Sequence, residues 1–264
     1  MSIVTGILKS SLGKKYIMAG TGALLLLFVI GHLIGNLQVF GPPELINNYA
    51  HFLQSKPVLV WSARLGLLVI LVAHVTTAVQ LAAMNRAARP VTYAPTENVS
   101  YGAKWASRYM LLSGLVVLAF IIYHLAHFTA LVPGINGAED FRKLRTVMHG
   151  QSVPDVYGMM IIGFQVWWVS LFYLIAQGLL FMHLQHGVSS AFQSFGFRNH
   201  VWWPRIETLT KIVTIAIFIG YALIPTAIYM RVVGADYADK VRAELKQDGT
   251  VSPAESPAAG KETH

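Results

Sequence analysis

Five apolar stretches, each long enough to cross a bilayer, constrain this chain more than any other feature it has. A helix needs about 20 consecutive apolar residues to span the hydrocarbon core. Trimmed at Gly, Pro and aromatic signals, the stretches cover 17–39, 58–84, 107–131, 159–187 and 210–233, and none of them contains Asp or Glu. In lipid, a segment must satisfy its own backbone polar groups, so each stretch reads as a helix. The fold class expected is therefore all-α, an integral membrane bundle of five transmembrane helices. Charge agrees: Asp, Glu, Lys and Arg make up 12% of the chain, against about 25% in a soluble domain, and they cluster between the stretches.

The net charge of +8 is explained by where the basic residues fall. Lys9, Lys14, Lys15, Arg86, Arg89, Lys104, Arg108, Arg198, Arg205 and Lys211 all flank spans on one side. The positive-inside rule makes that side cytoplasmic, N-terminus included. The expectation is an inner (cytoplasmic) membrane protein of bacterial type, whose basic charge meets lipid and not nucleic acid. Arg142, Lys143 and Arg145 run against the trend, on the far side. No cleavable signal peptide is evident, because the first apolar stretch is long enough to span and lacks a small-residue cleavage site. Residues 1–234 read as one transmembrane domain. Residues 235–264, rich in Ala, Pro, Ser, Lys and Glu, read as a disordered tail. A search for internal repeats finds none.

There are no cysteines, which excludes iron–sulfur clusters held by this chain, c-type haem attachment and thiol chemistry. Any redox centre must be held by histidine or methionine. Histidines are the conspicuous polar residues of the spans: His32 in the first, His74 in the second, His124 and His127 in the third, His183 and His186 in the fourth. Ionisable residues inside a membrane are costly and mark function. With the N-terminus inside, His32 and His124 lie in the outer half, while His74 and His183 lie in the inner half. Two pairs at two depths, each drawn from two helices, match the axial ligands of two stacked bis-histidine haem b groups. His127 and His186, one turn away, are alternates. A di-iron carboxylate site needs embedded Glu residues, and the spans have none. A histidine-box non-haem iron oxygenase would use His124 with His127 and His183 with His186, leaving His32 and His74 unexplained. Gly20, Gly22, Gly31, Gly35, Gly114, Gly178 and Gly187 serve either close helix packing or clearance for a flat macrocycle.

Several stretches, taken in order, resemble the cytochrome b558 subunit of succinate dehydrogenase and fumarate reductase, in its single-subunit, five-helix, dihaem form. They are Gly31-His32-Leu33-Ile34-Gly35-Asn36-Leu37, Asn48-Tyr49-Ala50-His51-Phe52-Leu53, His74, and Asn85-Arg86-Ala87-Ala88-Arg89-Pro90-Val91-Thr92-Tyr93. The series continues with Ser107-Arg108-Tyr109-Met110, Tyr123-His124-Leu125-Ala126-His127-Phe128, Tyr157 to Phe164, and His183-Leu184-Gln185-His186-Gly187-Val188-Ser189-Ser190-Ala191-Phe192. The resemblance covers about residues 9–233. It implies an electron-transferring anchor for a flavoprotein subunit and an iron–sulfur subunit, with a membrane quinone (menaquinone or ubiquinone) as substrate and no dicarboxylate chemistry in this chain. It also implies the haem ligand pairs His32 with His124 and His74 with His183. Some relatives carry an acidic residue early in the second span, where this chain reads Trp61-Ser62-Ala63-Arg64. The rival expectation is the cytochrome b anchor of a hydrogenase or formate dehydrogenase.

Overall fold

The computed structural model describes residues 10–88, 101–137, 139–148 and 150–250, with the backbone alone for 101–108 and 246–250. Lys9, Arg89, His149 and His264, the side chains of Lys104 and Arg108, and residues 251–264 of the expected tail lie outside the described residues.

Helix α1 (Ser11–Asn36) starts at Ser10, whose hydroxyl accepts from the Gly13 N–H at 3.0 Å; such a cap satisfies one of the unpaired first-turn donors. A short turn of 3-10 helix leads to α2 (Pro43–Gln54), which opens on proline where no backbone donor is needed. Then come α3 (Pro57–Ala87) and α4 (Tyr101–Phe128). A two-stranded antiparallel hairpin follows, β1 (Arg145–Met148) with β2 (Gln151–Pro154), in register Arg145↔Pro154 to Met148↔Gln151. The remaining described helices are α5 (Val156–Phe164), α6 (Trp167–Ser194), α7 (Trp203–Tyr229) and α8 (Ala235–Thr250).

Five of these helices, α1, α3, α4, α6 and α7, are long and apolar enough to cross a membrane. Their exposed faces need such a solvent. Of the 31 residues of α3 only Thr77 and Leu81 are buried. Val69, Leu27 and Ile122 are 68%, 65% and 63% exposed. Apolar surface on this scale calls for lipid. The molecule is an all-α helical membrane bundle. Lys14, Lys15, Arg86, Arg198, Arg205 and Lys211 fall at one end, hereafter the basic end, where Arg205 lies over the Trp202 ring at 5.4 Å and Arg198 over Trp203 at 5.3 Å. The hairpin, α2, α5 and α8 form the other end.

The structure corrects the sequence reading in two places. The fourth span does not begin at 159: the helix breaks at Gln165–Val166, so Met159–Phe164 belong to a separate short helix buried on every side. That helix is entirely apolar around its circumference, as a core helix is, and only Gln165 interrupts the apolar run into α6. Second, residues 235–250 are helical. Tyr237, Val241 and Leu245 pack with the fully buried Ala238 against the core, a stripe at helical spacing that offsets the polar composition. Gly234 makes this possible. It takes φ +72 with Ile161 directly against it, a place where a side chain would meet both strain and collision.

Asp155 pins the same end. Its carboxylate accepts from Asn47 Nδ2 (2.9 Å), from the Gly158 N–H (3.0 Å) and from Tyr237 Oη (2.7 Å), joining α2, α5 and α8. Burial pushes the Tyr237 phenol above its ordinary value, and the Asp155 hydrogen bond raises it further, so it stays a donor.

Candidate functional site

The four helices that carry the histidines form a ring. Helix α1 packs along α3 and α6, and α4 along α6, whereas α1 and α4, and likewise α3 and α6, face each other across the interior with little backbone contact. The histidines bridge those two diagonals. The His32 and His124 rings have centres 5.7 Å apart at 82°, and the His74 and His183 rings are 6.5 Å apart at 70°. The structure thus brings together the same partners that depth in the sequence paired.

The two pairs sit at different levels. His74 touches Thr21 and Gly22 of α1, and His183 touches Ser113 and Gly114 of α4. Thr21 lies eleven residues before His32, and Ser113 eleven before His124. At 1.5 Å per residue the levels are about 16 Å apart along the bundle. Eleven residues are close to three full turns, so on each helix the hydroxyl and the histidine share one face. The sequence therefore does hold a repeat, Thr21-Gly22 with His32 and Ser113-Gly114 with His124, at one spacing. Of the nine residues between, Leu26, Phe28 and Ile30 match Leu118, Phe120 and Ile122 and the other six differ.

A cavity of about 2640 Å³ runs through the interior, reaching from Lys15 and Phe195 to Asn36 and Tyr49, and His32, His74, His124 and His183 all line it. Ordinary ligand pockets span about 300–1,000 Å³, so this one has room for more than one large group. Arg64 also lines it, near the hairpin end, with its guanidinium 5.2 Å from the Trp61 ring.

The alternates separate from the main set by their surroundings. His127 is 1% exposed and does not line the cavity. Its Nδ1 meets Tyr173 Oη at 3.0 Å, and its Nε2 accepts from Asn136 Nδ2 at 3.2 Å, so both ring nitrogens are engaged. His124 has its Nδ1 on the same Tyr173 hydroxyl at 3.2 Å. His186 is on the cavity wall but exposed, while His183 is half-buried and faces His74. His32 is held by its own helix: Asn36 Nδ2 donates to the His32 carbonyl at 2.7 Å and lies 3.3 Å from Nδ1. Sequence reasoning did not find Tyr173, Asn136, Thr21 or Ser113.

The glycines divide too. A methyl on Gly22 would stand 3.3 Å from His74 Cε1, and one on Gly114 would stand 3.2 Å from His183 Cε1. Gly35 receives Tyr49, whereas Gly20, Gly31 and Gly178 have nothing within 4 Å, so histidine clearance explains two of the seven.

These residues fit a haem at each level. Two imidazole rings that face each other across an apolar cavity are the donor set that a haem iron would take. The ring centres lie 5.7 Å apart at one level and 6.5 Å apart at the other, so each pair could hold one such group between its rings. Among the described residues, no three His, Asp or Glu side chains gather in one place, so the donors come as pairs and not as boxes. No family model matches the chain, and neither a search of curated proteins nor one of solved structures found a match.

Proposed function

We propose that this chain is the dihaem cytochrome b anchor of a succinate:quinone oxidoreductase, carrying electrons between an iron–sulfur subunit and a membrane quinone. The observation that carries the cytochrome reading is the pair of histidine diagonals, His32–His124 and His74–His183, at two levels of one apolar cavity. The choice of complex rests on the resemblance of the His32, His51, His124 and His183 stretches. A bis-histidine haem b supplies a one-electron couple whose potential the protein tunes through ligation, hydrogen bonding and burial. The chain's own residues would hold the two groups through the His32–His124 and His74–His183 pairs, whose levels lie about 16 Å apart by the rise of α1 and α4, exclude water with apolar walls, and orient each ligand ring. The flavin and iron–sulfur subunits would dock on the basic end, which the positive-inside rule makes cytoplasmic.

The test is purification of the tagged chain from its native membranes. Sharp reduced α and Soret bands, together with co-purifying flavin-bearing and iron–sulfur subunits, are expected. Absence of the bands would overturn the cytochrome reading. Bands with hydrogenase or formate dehydrogenase subunits would overturn only the choice of complex.

A further inference from the structure

We propose that Thr21 and Ser113 are positioning residues that lock His74 and His183 in the tautomer with the proton on Nδ1, leaving both Nε2 lone pairs free for one metal. The inference rests on the dihaem reading and deepens it at one level.

The argument is a count of protons. Thr21 Oγ1 lies 2.7 Å from the Ile17 carbonyl and 3.0 Å from His74 Nδ1. A hydroxyl has one proton and two lone pairs, and a carbonyl can only accept. The threonine proton is therefore committed to its own helix, as is common for hydroxyls one turn past a carbonyl, and towards His74 the oxygen can only accept. Ser113 repeats the arrangement on α4. Its Oγ donates to the Met110 carbonyl at 3.1 Å and lies 3.1 Å from His183 Nδ1, towards which it is then left to accept. A neutral imidazole carries one ring proton. With it fixed on Nδ1, Nε2 is the bare nitrogen on each ring.

The other level is built differently. His124 shares the Tyr173 hydroxyl with His127, and His32 faces an amide NH2 of Asn36, so no hydroxyl with a committed proton backs either ring. The lock thus belongs to one level only. Gly22 and Gly114, next in sequence, let the two rings approach closely enough to reach these hydroxyls. Hydrogen bonds from a ligand's second nitrogen orient the ring and raise its basicity. Losing the acceptor makes Nε2 a weaker donor to ferric iron, and the potential of that haem rises.

The experiment uses the full chain purified from membranes as the unaltered protein and as Thr21→Val, Thr21→Ser and Ser113→Ala. Haem content and a redox titration followed in the α band are read for each. The expected result is two haem b per chain throughout, with one midpoint potential raised in Thr21→Val and the same one raised in Ser113→Ala. Thr21→Ser, which keeps the hydroxyl, should return the unaltered value. Loss of that one haem in Thr21→Val and Ser113→Ala, with Thr21→Ser keeping it, supports the proposal equally. Unchanged potentials, shifts of different haems by the two substitutions, or Thr21→Ser behaving like Thr21→Val would each overturn it. An unaltered chain without haem would overturn the dihaem reading and this inference together. Two haems indifferent to both substitutions would overturn this inference alone.

Discussion

At the hairpin end, Phe141, Leu144, Ile161, Ile162, Ile228 and Ala238 close on one another with almost no exposure, as in the core of a soluble domain. Between that end and the basic end, the ring of α1, α3, α4 and α6 closes on a cavity instead, and α3 buries two residues in its whole length. The difference separates the part of the bundle that is closed by side-chain packing from the part that stays open around its histidines. Close-packed side chains fix the helix ends at the hairpin side, so the middle can stay open around four histidines. The Asp155 junction of α2, α5 and α8 serves the first region, and the hydroxyl–glycine pairs of α1 and α4 serve the second.

The largest effects expected are in the open region, and they would break the comparison if they crossed levels. His74→Ala and His183→Ala should each remove the same haem, and His32→Ala and His124→Ala the other, read by haem content and by which midpoint potential survives. His186→Ala should keep both haems. His127→Ala should also keep both, since its nitrogens are taken by Tyr173 and Asn136. A combination such as His32 with His183 losing one shared haem would contradict the diagonal pairing.

Gly22→Ala and Gly114→Ala come next. Each sets a methyl 3.2–3.3 Å from a histidine ring edge, tighter than ordinary carbon contact. Displacing an oriented ligand typically costs about 10–100-fold in affinity, and haem retention at that level should fall by about tenfold. Gly20→Ala, with nothing within 4 Å, should change neither haem.

Smaller changes belong to the packed region and should leave the haem spectrum alone. Asp155→Ala strands Asn47 Nδ2, the Gly158 N–H and the Tyr237 hydroxyl, and an unsatisfied buried group costs about 1–3 kcal/mol. Tyr237→Phe removes one hydrogen bond to a carboxylate, about 1.5–3 kcal/mol before any relaxation. Thermal unfolding in detergent should rank Asp155→Ala below Tyr237→Phe, and both below the unaltered chain. A fall in haem content without a fall in unfolding temperature would mean the two regions are not separable.

How legible was this in the sequence? The five spans were, because length and apolarity in lipid admit one solution. The break at Gln165–Val166 was not, since Gln165 is a single polar residue in an otherwise apolar run from Met159 to Trp168 and does not by itself end a span. The order in 235–250 was hidden by its polar composition, although Tyr237, Ala238, Val241 and Leu245 already trace one face. Depth was enough to pair His32 with His124 and His74 with His183. It could not separate His124 from His127, one turn apart on one face, because the difference lies in Tyr173 and Asn136, which are distant or irregular in sequence. The Thr21-Gly22 and Ser113-Gly114 repeat was readable but has meaning only once a histidine from another helix is seen resting on each.

The smallest effect expected concerns the hairpin end in acid. Arg142 hydrogen-bonds Asp140 and holds its carboxyl at about 2, below the ordinary 3.8. A depressed carboxyl contributes stability that is present above its unfolded value and lost as pH falls through the folded one. Arg142 is exposed and Asp140 partly so, and the contribution of such a solvent-screened pair is slight. Asp140→Asn should shift the acid unfolding midpoint little and leave both haems untouched at neutral pH.

The central claim is that two histidine diagonals hold two haems, and the most direct measurement is haem b per polypeptide in the purified, unaltered chain. A pyridine haemochrome assay set against quantitative amino-acid analysis should give two, with two resolvable midpoint potentials. One haem, or none, would contradict the account.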